Sequence, residues 1–220
     1  MTVVDYLQED GSGGYAECRV PDVVFGDGAE TELMFIFESP HVEELKARVP
    51  VEGASGRDAL RFLKRDRTQE RRLGFFVQQQ HSAGNGRVAI MNVCNVALQA
   101  AAFGDGGAPD LGCEGWALIE QVRKSSARSI SSMRSGDAKA VAEVIVKGLR
   151  DRLGALAAGN DCRVVAAGAF AQRMVAALPD GLIDDPLRVP HPSFNQWNRV
   201  TNQELPDMVE MRRLFVKAVA

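Results

Sequence analysis

Three short strings close apolar runs and carry the groups able to do chemistry: Phe35-Ile36-Phe37-Glu38-Ser39-Pro40-His41, Ile90-Met91-Asn92-Val93 and Pro190-His191-Pro192-Ser193. They offer a carboxylate, an amide and an imidazole. Glu38 follows an apolar strand and precedes Ser39-Pro40, where the proline has no ladder N–H and turns the chain, leaving the acid at the strand's mouth. Pro40 also biases Ser39 toward extended backbone. Asn92 lies inside an apolar run, a costly place for an amide unless both its donor and acceptor find partners, which a ligand can supply. Two alternatives stay open: Asn92 caps the next element and Asn95 is the functional amide, or neither amide is functional. His191 is framed by prolines that stiffen its backbone. It shares with His41 a place beside a strand end, whereas His81, in Gln78-Gln79-Gln80-His81, reads as surface.

Such groups converge only if the elements bearing them lie side by side. Leu33 to Phe37, Val88 to Val93, Arg163 to Ala167 and a weaker Leu187 to Val189 read as short strands, the first three buried on both faces. Helical patterns alternate with them. The clearest starts at Asp137, taken as its N-cap, and carries Val141, Ile145, Leu149, Leu153 and Leu156 to an end near Gly159-Asn160. Others are expected over Gly56 to Arg65, Cys113 to Lys124, Ala169 to Leu178 and Asp207 to Val219. This alternation predicts a three-layer α/β/α sandwich around a short, mostly parallel sheet, with the working groups at the strands' carboxyl ends. Gly11 to Gly14, Gly104 to Ala108 and Ser125 to Ser135 read as loops.

A chain of 220 residues, 45% hydrophobic and 25% charged, supports one domain, with residues 1–30 as a peripheral segment. The net charge of -3 provides no global attraction to nucleic acid. A local one exists: Arg57, Arg61, Lys64, Arg65, Arg67, Arg71 and Arg72, against Asp58, Asp66 and Glu70, make a stretch of +4. It reads either as a solvated helix face with ion pairs or as a phosphate-contacting surface. The N-terminus lacks a signal-peptide pattern, and no apolar run reaches the ~18 residues of a membrane span, so a cytoplasmic protein is expected. Cys18, Cys94, Cys113 and Cys162 form no C-x-x-C pair and are expected to be reduced.

Pro50-Val51-Glu52-Gly53-Ala54-Ser55-Gly56 places two glycines and a serine before a helix, where backbone N–H groups can cradle a phosphate. Taken in order with the three strings above, and with Val164 to Ala171 and its glycine turn, this loop gives the chain a resemblance to the uracil-DNA glycosylase superfamily from Leu33 to about Arg199. That family shares a strand-ending water-site motif, a Pro-x-x-Gly-x-x-Gly loop, a strand Asn and a final His-Pro-Ser. The resemblance implies an enzyme that flips an altered base out of DNA and hydrolyses its bond to the sugar, without metal or other cofactor. Glu38 would orient water and favour the developing positive charge, His191 would donate to O2 of the departing base, and Asn92 would read its O4 and N3–H edge.

Ser39 stands where several branches carry a water-activating Asp or Asn, and Val51 where many carry the phenylalanine that stacks on the base. Cys18 alone does not form the paired motif of the cluster-binding branch. His41 takes the place of a residue facing C5 of the base, where a bulky side chain walls out thymine. Gly53, Ser55, Gly56 and Ser193 are expected to meet phosphates, and Phe194, Trp197 and Arg199 to meet the duplex; alternatively both aromatics fold back onto the core. The expected partner is single- or double-stranded DNA, bound by a monomer. Alternatives are a base- or DNA-binding module without hydrolysis, a glycosylase for a larger modified pyrimidine, and a small-molecule nucleotide or phosphate enzyme.

Overall fold

The apolar runs form the centre of the molecule, and a computed structural model describes residues 2–8, 18–157 and 161–220. Four strands, β1 (Leu33–Phe37), β2 (Val88–Asn92), β3 (Arg163–Ala167) and β4 (Leu187–Val189), pair in parallel in the order β2-β1-β3-β4. The first three are apolar along their length because both faces are covered. One face packs Met34, Ile36, Ala89, Met91, Val164 and Ala166 against α1 (Val3–Leu7), α5 (Gly112–Lys124), α6 (Gly136–Gly154) and α7 (Ala169–Val175). The opposite face packs Leu33, Phe35, Phe37, Ile90, Val165 and Ala167 against α3 (Ala54–Lys64), α4 (Leu73–Ser82) and α9 (Pro206–Ala218). The result is a three-layer α/β/α sandwich. Two short helices, α2 (Val42–Ala47) and α8 (Val200–Gln203), lie in the connections.

Local capping moves some helix ends from their expected places. Ser135, not Asp137, caps α6: its hydroxyl accepts from the Ala138 N–H at 3.2 Å, and Asp137 sits in the first turn, where its charge favours the helix dipole. Val141, Ile145 and Leu149 form the buried stripe, while Leu156 lies beyond the helix. Gly159-Asn160 and Gly11 to Gly14 fall outside the described residues.

The basic stretch is not one helical face. Helix α3 ends at Lys64 with Arg65 in the left-handed conformation, and a separate helix, α4, follows after a turn. Leu73, Phe76 and Val77 give α4 its buried side, but the polar Gln78-Gln79-Gln80-His81 masked that pattern in the sequence. His81 is half-buried, with Nε2 donating to the Val88 carbonyl at 2.8 Å, which corrects its reading as surface.

The N-terminal segment, read as peripheral, also contributes to the core. Tyr6 is fully buried and its hydroxyl donates to the Ala97 carbonyl at 2.8 Å. Val23 exchanges two 2.9 Å backbone hydrogen bonds with Ile90, covering the outer side of β2. Among the described residues no helix is long and apolar enough to cross a membrane.

Candidate functional site

In this strand order β1 is where the chain switches from one side of the sheet to the other, and a crevice opens beyond the strands' carboxyl ends at such a point. Register pairs Phe37 with Asn92, so Glu38 and Asn92 emerge from adjacent strands. His191 follows two residues after β4. A cavity of about 810 Å³ lies there, lined by Glu38, Ser39, His41, Val51, Asn92 and His191. Gly53, Ser55, Ser193 and Phe194 complete the part of its wall expected from the sequence.

Glu38 is not alone. Its Oε1 accepts from Nε of Arg123 at 2.6 Å, and both side chains are about one-quarter exposed. Arg123 belongs to the last turn of α5, whose end is held by the buried Arg173: its guanidinium donates to the carbonyls of Val122 at 2.8 Å, Arg123 at 3.3 Å and Ser125 at 2.5 Å. A cation at a helix carboxyl end satisfies carbonyls that have no intrahelical donor. Burial holds Arg173 below the usual arginine range, while the Glu38 charge acts in the opposite sense.

A second carboxylate shapes the entrance. Glu44, buried on α2, accepts from the His41 N–H at 2.7 Å through Oε2 and from the Val51 N–H through Oε1. One side chain thereby ties the loop after β1 to the loop before α3. Burial pushes Glu44 up to about 7; the two N–H bonds oppose that rise, and the charges of Glu52 and Glu38 add to it. Val51 adopts φ +57, a rare conformation for a β-branched residue. Its carbonyl passes so close to α3 that a Cβ at Gly56 would lie 1.8 Å from the oxygen. The Gly56 N–H donates to the Gly53 carbonyl at 3.0 Å. Gly56 therefore makes a close backbone approach, which corrects its expected role at a phosphate.

Asn92 is 1% exposed, and neither Oδ1 nor Nδ2 has a hydrogen-bond partner. Its backbone is firmly held: Arg152 donates to the carbonyls of Asn92 at 2.8 Å and Val93 at 2.7 Å while gripping Asp22 through two 2.9 Å bonds. An amide with both ends unengaged beside a cavity is a donor and an acceptor ready for one ligand edge. Asn95 points the comparison the same way, since its Oδ1 is also unpartnered, but it does not line the cavity.

The His191 ring packs edge-on to Phe37, centroids 6.3 Å apart, and approaches the backbone of Gly168 so closely that a Cβ there would lie 3.0 Å from the His191 Cβ. Gly168, at φ +93, is required on both counts. The Ser193 N–H donates to His191 Nδ1 at 3.2 Å, so Nε2 carries the proton of the neutral ring. Burial lowers the His191 pKa, opposed by the Glu38 charge and reinforced by Arg123. A neutral imidazole thus presents an N–H donor in a cavity that also holds the Asn92 amide.

The segment after His191 divides the expected duplex contacts. Phe194 is 85% exposed and, with Asn195, adopts the left-handed conformation (φ 54 and 57). Trp197 is fully buried against Phe35, Phe37 and Phe62, with Nε1 donating to the Pro190 carbonyl at 2.6 Å. Its place in the core corrects its reading as a duplex contact and fixes the His191 loop from beneath. Arg199 is exposed outside the cavity wall, its guanidinium 3.4 Å from the Phe194 carbonyl. His41 lines the cavity but is exposed, at its entrance rather than in a packed wall.

Arg123, Glu44, Gln99 and Asp58 also line the cavity and were not singled out from the sequence. Arg123 resembled an ordinary basic residue in a last helical turn, and Glu44 an ordinary solvated acid; their partners are distant or lie on backbone atoms. None of the four cysteines forms a disulfide among the described residues; Cys94 is buried and Cys113 exposed. In comparisons with known proteins, the chain matches no family model and no curated protein.

Proposed function

We propose that the protein is a DNA glycosylase that hydrolyses the N-glycosidic bond of uracil or a related altered pyrimidine. The observation that carries this reading is the buried Asn92 amide with both polar atoms unengaged, facing the same cavity as the neutral His191 N–H donor. An amide pairs naturally with the O4 acceptor and N3–H donor of uracil. A base extruded from a strand would enter the cavity edge-first and meet these groups.

In the reaction the C1′–N1 bond breaks with its electron pair leaving on the base, and a water oxygen bonds to C1′. The His191 Nε2–H stabilises the negative charge that appears on O2, an effect largest in the transition state. Glu38, anchored through Oε1 to Arg123, offers Oε2 to orient the water, and its charge favours the positive character of the sugar. The water proton passes to Glu38 or solvent, and the base anion takes up a proton after departure. Ser39 borders the same water position, and Phe194 fills the gap left by the extruded base.

The Glu38 to Arg123 ion pair favours one second reading, a base-binding module without hydrolysis, because it draws the acid's charge away from the sugar. Incubation with oligonucleotides carrying uracil, hypoxanthine or 5-substituted pyrimidines, followed by alkali, separates the two. Strand scission at the altered base supports the glycosylase. Tight, uracil-dependent binding without scission supports the binding module, and neither result on any strand would sink both.

A further inference from the structure

The fold sorts the cations of the basic stretch into two classes. Arg57 and Arg61 pair with Glu70, Arg61 also with Asp58, and Arg72 with Glu52. Lys64 and Arg71 lie over the Phe76 ring at 4.4 and 5.4 Å. Arg65 and Arg67 remain exposed and have no carboxylate partner among the described residues. Both line a separate cavity of about 470 Å³ together with Arg61 and Arg212, and the single acid on that wall is Glu204. Arg212 comes from α9 and lies 5.0 Å over the Phe62 ring. Burial and the neighbouring Arg65 charge both hold Arg212 below the usual arginine range.

With Arg61 already paired to Glu70 and Asp58, the guanidinium groups of Arg65, Arg67 and Arg212 against the single carboxylate of Glu204 leave an excess of positive charge that the described residues do not neutralise. Guanidinium forks match phosphate oxygens in pairs, so the missing counter-charge is well supplied by a phosphate. The placement is also informative. Asp58 lines the first cavity and Arg65 the second, seven residues later at the end of the same helix, a separation of about 10 Å from the helical rise. A strand in B-form advances about 3.4 Å per nucleotide, so the span from Asp58 to Arg65 is about three nucleotides, while Arg61 marks the nearer edge of the second cavity. The segment Ser193–Asn198 joins them: Ser193, Phe194 and Asn195 border the first and Asn198 the second, with Asn198 tied to the Asp58 carbonyl at 2.8 Å.

We infer that the arginine-lined cavity between the end of α3 and α9 is a second anion site, binding a backbone phosphate of the strand whose altered nucleotide occupies the first cavity. This rests on the nucleic-acid reading above and adds to it a footprint: strand contact extends past Phe194 along α3, to one side of the target nucleotide. The site reads no base.

Fluorescence anisotropy on labelled single strands tests it, using a trinucleotide with central uracil, a strand of about fifteen nucleotides with central uracil, and the same long strand with thymine instead. Arg65→Ala, Arg67→Ala and Arg212→Gln should each weaken the long uracil and thymine strands by about tenfold at low salt and flatten the salt slope by about 0.7 per lost phosphate contact. Trinucleotide affinity should stay at the parent value. Arg65 and Arg67 are exposed, so their variants decide the outcome if Arg212→Gln fails to fold. Unchanged binding of the long strands overturns the site, as does an equal loss on the trinucleotide. Because the thymine strand needs no excision, a parent that releases no base while its arginine variants lose long-strand affinity would refute the glycosylase and leave this site standing.

Discussion

Asn92 and Glu44 are both buried polar side chains on the wall of one cavity, and they differ in what they engage. Glu44 accepts two backbone N–H groups and so closes the entrance loops of its own chain. Asn92 engages no partner through its amide, although its backbone is pinned by Arg152. Buried polar atoms are nearly always paired, so the first pattern marks architecture and the second is the one that the proposed base-reading role requires. His191 belongs with Asn92: one ring nitrogen is fixed by Ser193, and the other remains a donor at the cavity.

The sharpest division should come from His191→Ala. Excision should fall by about 10²–10³-fold while affinity for uracil-containing DNA changes far less, because the lost donor acts on charge that develops only during bond breaking. Single-turnover rates and binding measured on one preparation give the answer; matching losses in both would reduce His191 to a binding residue. Glu44→Ala should instead act on the fold. It strands two buried N–H groups at about 1–3 kcal/mol each, visible as a lower urea midpoint.

Asn92→Ala should show the reverse pattern. Excision should drop by about 10- to 100-fold with stability held within about 1 kcal/mol of the parent, since no existing side-chain hydrogen bond is lost. A stability loss as large as that of Glu44→Ala would erase the distinction between the two residues.

Protonation gives a further test. Burial raises Glu44 from 4.5 to about 7, so the fold favours its neutral form. Its contribution to stability is therefore fully present below about 4.5 and is lost as pH rises through about 7, a change on the order of 3 kcal/mol. Asp22 and Glu52 are also raised by burial, so the quantity to follow is the difference between the parent and Glu44→Gln across that window. A constant difference would show that Glu44 does not titrate there. The smallest effect is expected from His41→Ala: an exposed ring at the entrance is a poor wall, and release of thymine from a G·T mismatch should rise by less than about tenfold. A larger gain would restore His41 as the barrier to the methyl group.

Much of the architecture was written locally. The apolar runs at Leu33, Val88, Arg163 and Leu187 became strands because each is short, bounded by turn residues and, for the first three, apolar on both faces. Glu38, Asn92 and His191 could be marked from sequence because a polar residue ending an apolar strand has few places to go. Other choices depended on neighbours far along the chain. Phe194 and Trp197 lie three residues apart in one polar stretch, yet one is exposed and the other fully buried, because the Pro190 carbonyl and the Phe35, Phe37 and Phe62 rings capture only the indole.

Hydrophobic period and proline placement, which act within a few residues, thus determined the strands, the helices α3, α5, α6, α7 and α9, and the three polar strand ends, but not α4. The strand order β2-β1-β3-β4, the pairing of Glu38 with an arginine 85 positions away, the Glu44 clamp and the union of Arg65 with Arg212 were decided only in three dimensions. Those features arise from packing between distant segments, and a side chain's identity does not specify which distant partner the sheet will bring to it.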